Sequence, residues 1–461
     1  MFSKPSISAR RARNHTNTRI TASGRFTYNR IHMKKKRNTT HPVSWVPSLY
    51  FAEALPYMAV MTLSTIMYTN LGLTNTELAL YTSWLYLPWV IKPIWSPLVD
   101  SLKTKRWWIL IMQVLIGASL AGVALTLQTE LWLKLSLAFF WLMAFSSATH
   151  DIAADGFYIL GLTDKEQAFY VGWRSTFYRI GTIFCQGGLV VLAGMLQKEH
   201  DTALAWCMTM AATAIIMIAL AAWHNFALPH PDEHNDSRTP AGNPHIARNA
   251  MATLYFYFKD TLVAFFSKKG IVSAVLFMLL FRFPEAQLAK MAQPFMLRST
   301  EEGGLALATE TVGVVYGTIG VIGLLLGGIL GGWLVSRNGL KRWWWPMIAA
   351  ISLPDAVYIY LAMAQPSSLL TINSCVAIEQ FGYGFGFTAY MLFLVYFSKG
   401  ERSTSVFSIC TALQALGMML PGMIAGYLAD LWGFSAFFWW VMACCLITVV
   451  VSALVKPHDL A

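Results

Sequence analysis

Hydrophobic and polar positions in this 461-residue chain do not alternate; they come as long apolar blocks cut by short polar ones. Blocks of about 20 residues recur, each long enough to cross a hydrocarbon core of about 30 Å as a helix. Twelve such spans are predicted, near residues 45–69, 78–99, 107–127, 131–159, 171–196, 204–226, 271–297, 311–335, 343–364, 371–397, 404–427 and 434–455. The blocks lack the period-two pattern of a membrane β-barrel, so helices are the remaining way to satisfy backbone groups away from water. The expected fold is an all-α polytopic membrane protein.

Composition agrees with the pattern. Residues are 56% hydrophobic and 12% charged, about half the charge of a soluble domain, where roughly 25% is usual. The net charge of +11 is confined to one place: residues 1–44 hold eleven Lys and Arg and no acid, leaving 23 basic residues against 23 acidic ones. That tail directly precedes the first span, so it reads as a cytoplasmic anchor and not as a nucleic-acid arm. A start at Met33, opening "MKKKRN", gives an ordinary membrane-protein N-terminus, and no cleavable signal is evident because the first apolar run is too long. All six cysteines fall inside spans with no metal-type spacing, and read as packing residues.

Short loops on the side of the N-terminus carry Lys103, Lys105, Arg106, Lys165, Arg337, Lys341, Arg342, Lys399 and Arg402; the opposite loops carry only Lys134, Lys198 and Arg298. Nine against three predicts both termini inside. "SPLVDSLKTKRWW" (96–108) and "GWLVSRNGLKRWW" (332–344) share their ending at an offset of 236, and "AEAL" (52–55) answers "PEAQ" (284–287) at 232. The expected organisation is a basic tail (1–44), a six-helix half (45–226), a linker with an amphipathic helix (227–270), a second six-helix half (271–455) and a short tail (456–461). Paired helical repeats of this kind hold a transport site between them, at the middle of the membrane.

The repeated loop resembles the G-x-x-x-D-R-x-G-x-K-R signature of the major facilitator superfamily. The first copy keeps Asp100, Lys105 and Arg106 with Ser96 for the glycine. The second keeps Gly332, Arg337, Gly339, Lys341 and Arg342 with Ser336 for the aspartate. The resemblance implies a gate role for these loops; plain topology signals are the alternative. "ATHDIAADGF", "YRIGTIFCQGGL", "ETVGVVYGTIGVIGLLLGGIL", "FGYGFGFTAYMLFL" and "GYLADLWGFSAFFWW" resemble more closely the AmpG permease group, related to acetyl-CoA transporters. That implies proton-driven import of anhydro-muropeptides across a bacterial inner membrane. Another organic solute, such as an acyl-CoA-like compound, peptide or drug, or a non-transporting sensor, is the alternative.

Charge inside a span costs about 2.5–3.5 kcal/mol on insertion scales, so such residues are functional candidates. Asp151 and Asp155 share a helix face. Depth matching across the following loop sets Asp155 opposite Arg174 and Asp151 opposite Arg179, a gating or structural network, with proton carriage by Asp151 as the other reading. Glu285 is the leading proton carrier, beside Arg282 at a kink marked by Pro284; Glu53 and Glu379 are further candidates. Lys92 and Lys290, near span ends, are expected to snorkel to an interface. Arg179 and Arg282 suit carboxylates of a cargo, and Tyr50, Tyr57, Tyr178 and Tyr383 suit sugar faces, packing being the plainer role for any one. His150 either tunes the aspartates or fills space. "GYGFG" (382–386) lies in an apolar span and is no nucleotide loop. No serine–histidine set, metal spacing or carboxylate cluster is visible, so neither an enzyme, a metal nor a cofactor is expected. The expected partners are a small solute, protons and the bilayer, with no nucleic acid, and the chain is expected to act as a monomer.

Overall fold

A computed structural model describes residues 41–230, 259–400 and 403–455, and within them not the side chains of Pro97, Asp100, Ser101, Asp164 and Thr404. Most of the basic tail and linker, the last six residues, Arg402 and the side chain of Asp100 lie outside the described residues. Residues 39–461 form one compact unit. Among the described residues every regular element is helical. The helices are α1 (Pro42–Asn70), α2 (Asn75–Trp84), α3 (Leu87–Ser101), α4 (Lys105–Thr126), α5 (Trp132–Gly161) and α6 (Lys165–Leu196), then α7 (Thr202–Ala227) and α8 (Ile271–Leu297). The chain ends with α9 (Thr309–Asn338), α10 (Leu340–Ala364), α11 (Leu369–Ser398) and α12 (Ser403–Leu454). Of the described helices, ten are long and apolar enough to cross a membrane.

Two departures from a simple row of spans have local causes. The block expected at 78–99 is divided into α2 and α3, the second starting with Pro at its first turn, where its missing N–H costs nothing. The blocks expected at 404–427 and 434–455 run together as α12, interrupted at Gly433, whose φ of 76° and ψ of 161° leave the helix. Starts are fixed by side chains. Thr74 with Glu77, and Thr163 with Glu166, form reciprocal capping boxes; Thr104 and Asp201 accept from backbone N–H groups of the next turn. Three helices carry a π-turn, at Ala59–Leu63 in α1, Phe184–Leu189 in α6 and Val315–Gly320 in α9.

The helices before residue 228 meet those after 271 closely at one face of the bundle only. There α2 packs on α12, where a Cβ at Gly426 would strike the carbonyl oxygen of Asn75, and α6 on α9, where a Cβ at Gly317 would strike that of Gln186. Polar contacts reinforce this closure. Asn70 Nδ2 donates to Thr309 Oγ1 at 2.9 Å, Asp430 accepts from Thr76 N and Oγ1 at 2.7 and 2.6 Å, and Lys198 pairs with Glu310 at 2.8 Å. Arg298 donates to the Leu73 carbonyl oxygen. Toward the other face, which carries His41 and Ser398, the two groups part and enclose a cavity.

Candidate functional site

The cavity measures about 1010 Å³ and is lined from both groups of helices. Its lining runs from Gln186 and Gln293, on the closed side, to Ile159 and Ser405 near the open face. Arg179 reaches it from α6 and Arg282 from α8, so two guanidinium groups face one space. Arg282 stands where α8 breaks, just before Pro284. Its guanidinium donates to the Tyr383 hydroxyl and lies 4.8 Å from the Phe387 ring centre. Arg179 makes no ion pair among the described residues. Tyr57, Tyr178 and Tyr383 line the space, Tyr57 with its ring edge-on to Trp89 at 5.2 Å. Tyr50 does not. It is fully buried, with Arg174 at 4.5 Å over its ring, because α1 turns that side chain away from the cavity toward α5 and α6. Its expected sugar contact is therefore corrected to support for Arg174.

Two sets of three carboxylates stand against this cavity. Glu53, Asp151 and Asp155 form one; Glu285, Asp355 and Glu379 form the other; within each, one oxygen per residue lies within 4.8 Å of the others. Two unit charges at that distance repel by about 3.5 kcal/mol at an effective dielectric of 20. Each set therefore needs positive charge from somewhere. The expectation of no carboxylate cluster with cation-binding spacing is overturned: the members come from two or three helices apiece, so no sequence motif joins them.

In the first set the bases are protein side chains. Asp155 forms an ion pair with Arg174 at 2.5 Å, the two side chains 40% and 34% exposed. Asp151 pairs with Lys92 of α3, not with Arg179. The reason is α1. It packs between α5 and α6, so the two meet only near their connecting loop, and Glu53 fills the place where Arg179 was expected. Lys92 accordingly lines the cavity and does not snorkel. His150 faces away from the aspartates: its Nε2 is 3.0 Å from Gln113 Nε2, whose Oε1 is 3.0 Å from His224 Nδ1, and His224 Nε2 is 2.9 Å from Ser48 Oγ. That chain ties α1, α4, α5 and α7 together.

In the second set no lysine or arginine forms an ion pair with an acid among the described residues, and Arg282 acts on Glu285 only from a greater distance. Glu379 accepts from Gln380 Nε2 at 3.1 and 3.0 Å and from the Tyr358 hydroxyl at 3.5 Å; Asp355 accepts from the Cys445 thiol at 3.6 Å. Glu285 Oε2 is buried with no partner. Arg282, three residues before Glu285, donates to the Tyr383 hydroxyl and makes no ion pair with Glu285, while its Nε is left without a hydrogen-bond partner. All three acids are 2–3% exposed, and Glu285 alone reaches the cavity lining. Glu379 lies ten residues into α11, far deeper than an outer-end position, and Asp355 joins from the break in α10. Lys290 is also buried, not snorkelling: it donates to Thr82 Oγ1 of α2 at 2.9 Å.

The proposed gate residues occupy the face where the cavity opens. Arg106 donates to the Asn225 carbonyl oxygen at 2.5 Å, and Lys105 lies over Gly156. Arg337 stacks on Trp333 at 4.2 Å; Gly339, with φ of 75°, joins α9 to α10, whose first turn holds Lys341 and Arg342.

A family model described as Major Facilitator Superfamily matches residues 48–420. The chain belongs to the Major Facilitator Superfamily. This superfamily member is similar to a putative transporter AmpG 4 of Rickettsia conorii, 24% identical over 359 residues, covering 76% of this chain and 81% of that one. It is likewise 24% identical over 355 residues to the anhydromuropeptide permease of Escherichia coli K12, covering 76% of this chain and 67% of the relative. In fold it resembles the crystal structure of the nucleoside transporter NupG, with a TM-score of 0.64 and 14% identity, over 90% of this chain and 99% of that one. It is a multi-pass membrane protein of a transporter family.

Proposed function

We propose that this chain is a proton-coupled importer of muropeptide-like cell-wall fragments, working by alternating access as a monomer in a bacterial inner membrane. Its two six-helix halves rock about the cavity, with both termini on the cytoplasmic side, where basic loops concentrate. The observation that carries the reading is Glu285: a carboxyl on the cavity wall, backed by two more acids and, among the described residues, with no ion-paired base. Such a group holds a proton while buried and gives it up when water or a cation reaches it. Arg282 and Arg179 receive the carboxylates of a peptide stem through two-pronged hydrogen bonds, and Tyr57, Tyr178 and Tyr383 offer faces to sugar rings.

Cargo and proton share one neighbourhood. A cargo carboxylate draws Arg282 from Tyr383 while Glu285 holds its proton, the two are carried inward together, and the proton leaves to the open face with the cargo. The ion-paired first set holds α3, α5 and α6 in register near that face and acts as part of the gate. The deciding experiment is uptake of labelled anhydro-muropeptides by proteoliposomes with and without an imposed proton gradient. Uptake that rises with an inward gradient and collapses with an ionophore supports the reading. Gradient-driven uptake of some other solute alone would keep the transporter and discard the cargo, and flat uptake of every solute would favour a sensor.

A further inference from the structure

We propose that the Glu285–Asp355–Glu379 set is also a sodium site, one sodium ion taking the place of one bound proton; this rests on the reading of Glu285 as the coupling carboxyl. Three observations converge. The three acids bring one oxygen each to within 4.8 Å of one another, close enough for all three to reach a single cation whose oxygen ligands stand about 2.4 Å away. Glu285 is 3% exposed and its Oε2 is buried with no hydrogen-bond partner. No lysine or arginine pairs with any of the three among the described residues.

The neighbouring donors are neutral and bind mostly to Glu379, namely the Gln380 amide and the Tyr358 hydroxyl. They orient one carboxylate and leave its charge uncancelled. Arg282 stands beyond ion-pair distance and is one base against three acids, so further positive charge comes from solution, and Glu285 opens the site to the cavity. Sodium enters from there, a carboxyl releases one proton, and net charge is conserved. A monovalent ion suits this exchange, since a divalent one would have to expel two protons. The Glu53 set differs: Lys92 and Arg174 pair with two of its three acids, so only Glu53 is left without a counter-charge and the set has far less need of an ion.

The test uses the full-length chain, purified in detergent, with sodium exchanged for choline at constant ionic strength. Thermal unfolding and proton release into weakly buffered solution are read together. Sodium should raise the melting temperature saturably and release about one proton. Its midpoint concentration should rise about tenfold per unit fall in pH while the site is protonated. Potassium should do neither. Glu379→Gln and Asp355→Asn should remove the sodium response, whereas Asp155→Asn should keep it; the wild-type titration stands if either variant fails to fold. Equal behaviour in sodium and choline at every pH would overturn the proposal, as would a response to calcium at far lower concentration than to sodium. Uptake driven by a proton gradient in sodium-free vesicles separates the two claims. If it persists without any sodium effect, only the sodium site falls. If neither gradient drives uptake, the transport reading falls with it.

Discussion

The two carboxylate sets face the same cavity with the same number of acids, yet they are neutralised in opposite ways. Glu53, Asp151 and Asp155 have Lys92 and Arg174 within ion-pair reach; among the described residues Glu379 and Asp355 have only amide, hydroxyl and thiol donors, and Glu285 has Arg282 nearby but no ion pair. A covalently attached base is a permanent counter-ion. It keeps its acids charged and makes their geometry part of the scaffold. An acid set without one must borrow charge from solution and can return it, which is what a coupling site has to do. On the function proposed above, it is the lack of an ion-paired base, and not membership of a buried acid cluster, that marks the proton carrier.

The sharpest way to break this contrast is to neutralise the equivalent glutamates one at a time. Glu285→Gln should abolish gradient-driven accumulation while leaving down-gradient equilibration of cargo, both read in proteoliposomes. Glu53→Gln should reduce accumulation by no more than about fivefold, the equivalent of ~1 kcal/mol, since Lys92 and Arg174 remain to hold Asp151 and Asp155. Equal losses in the two variants would remove the distinction between the sets.

The next test converts one set toward the other. Lys92→Met strands Asp151, a partner with a quarter of its side chain exposed. Losing the base should destabilise the chain by about 1–3 kcal/mol, less than for a fully buried pair because the cavity lets water in. The double variant Lys92→Met with Asp151→Asn should recover most of that loss in a thermal-unfolding assay, since neither charge is then left alone. No recovery would mean that Lys92 matters for packing and not as a counter-ion.

Why some of this was legible in the chain and some was not has a geometric answer. Helical blocks and intramembrane charges are local properties, so the all-helical membrane fold follows from hydropathy. The Asp155–Arg174 contact follows from depth arithmetic, because both residues lie within three turns of the same loop. The same arithmetic fails at Asp151 and Arg179. One more turn from the loop, α1 has already entered between α5 and α6, and which helix fills a gap is a tertiary fact. Lys92 and Asp355 were hidden for the same reason: each reaches its set from a helix that shares no short spacing with the others. Tyr50 illustrates a further limit, since an aromatic near a span start says nothing about which way the helix faces.

A charge swap probes the contact that depth arithmetic did find. Arg174→Asp alone places a fourth acid beside three and should impair transport severely, whereas Arg174→Asp with Asp155→Arg restores one base to the set. The pair is more than a third exposed on its acid side, so the coupling energy from a double-mutant cycle should be only about 0.5–1 kcal/mol. Failure of the swap to recover any uptake lost in the single variants would remove this contact from the gate.

The smallest effect is expected at Lys198 and Glu310, an ion pair that also bridges the two groups of helices but lies at the closed face, with Lys198 65% exposed. It sets the scale against which the cavity pairs are judged. In water-like surroundings such a pair contributes roughly 0–1 kcal/mol, and salt screens it. Lys198→Gln should therefore change uptake less than about twofold at low ionic strength, with the difference vanishing near 0.5 M salt, where the screening length falls well below 10 Å. The Lys92 and Arg174 variants should keep their defects in that salt, because cavity walls exclude much of the screening atmosphere. If Lys198→Gln proved as damaging as Lys92→Met, and as insensitive to salt, then burial would not be what makes a resident base a permanent counter-ion. The contrast between the two acid sets would then need another cause.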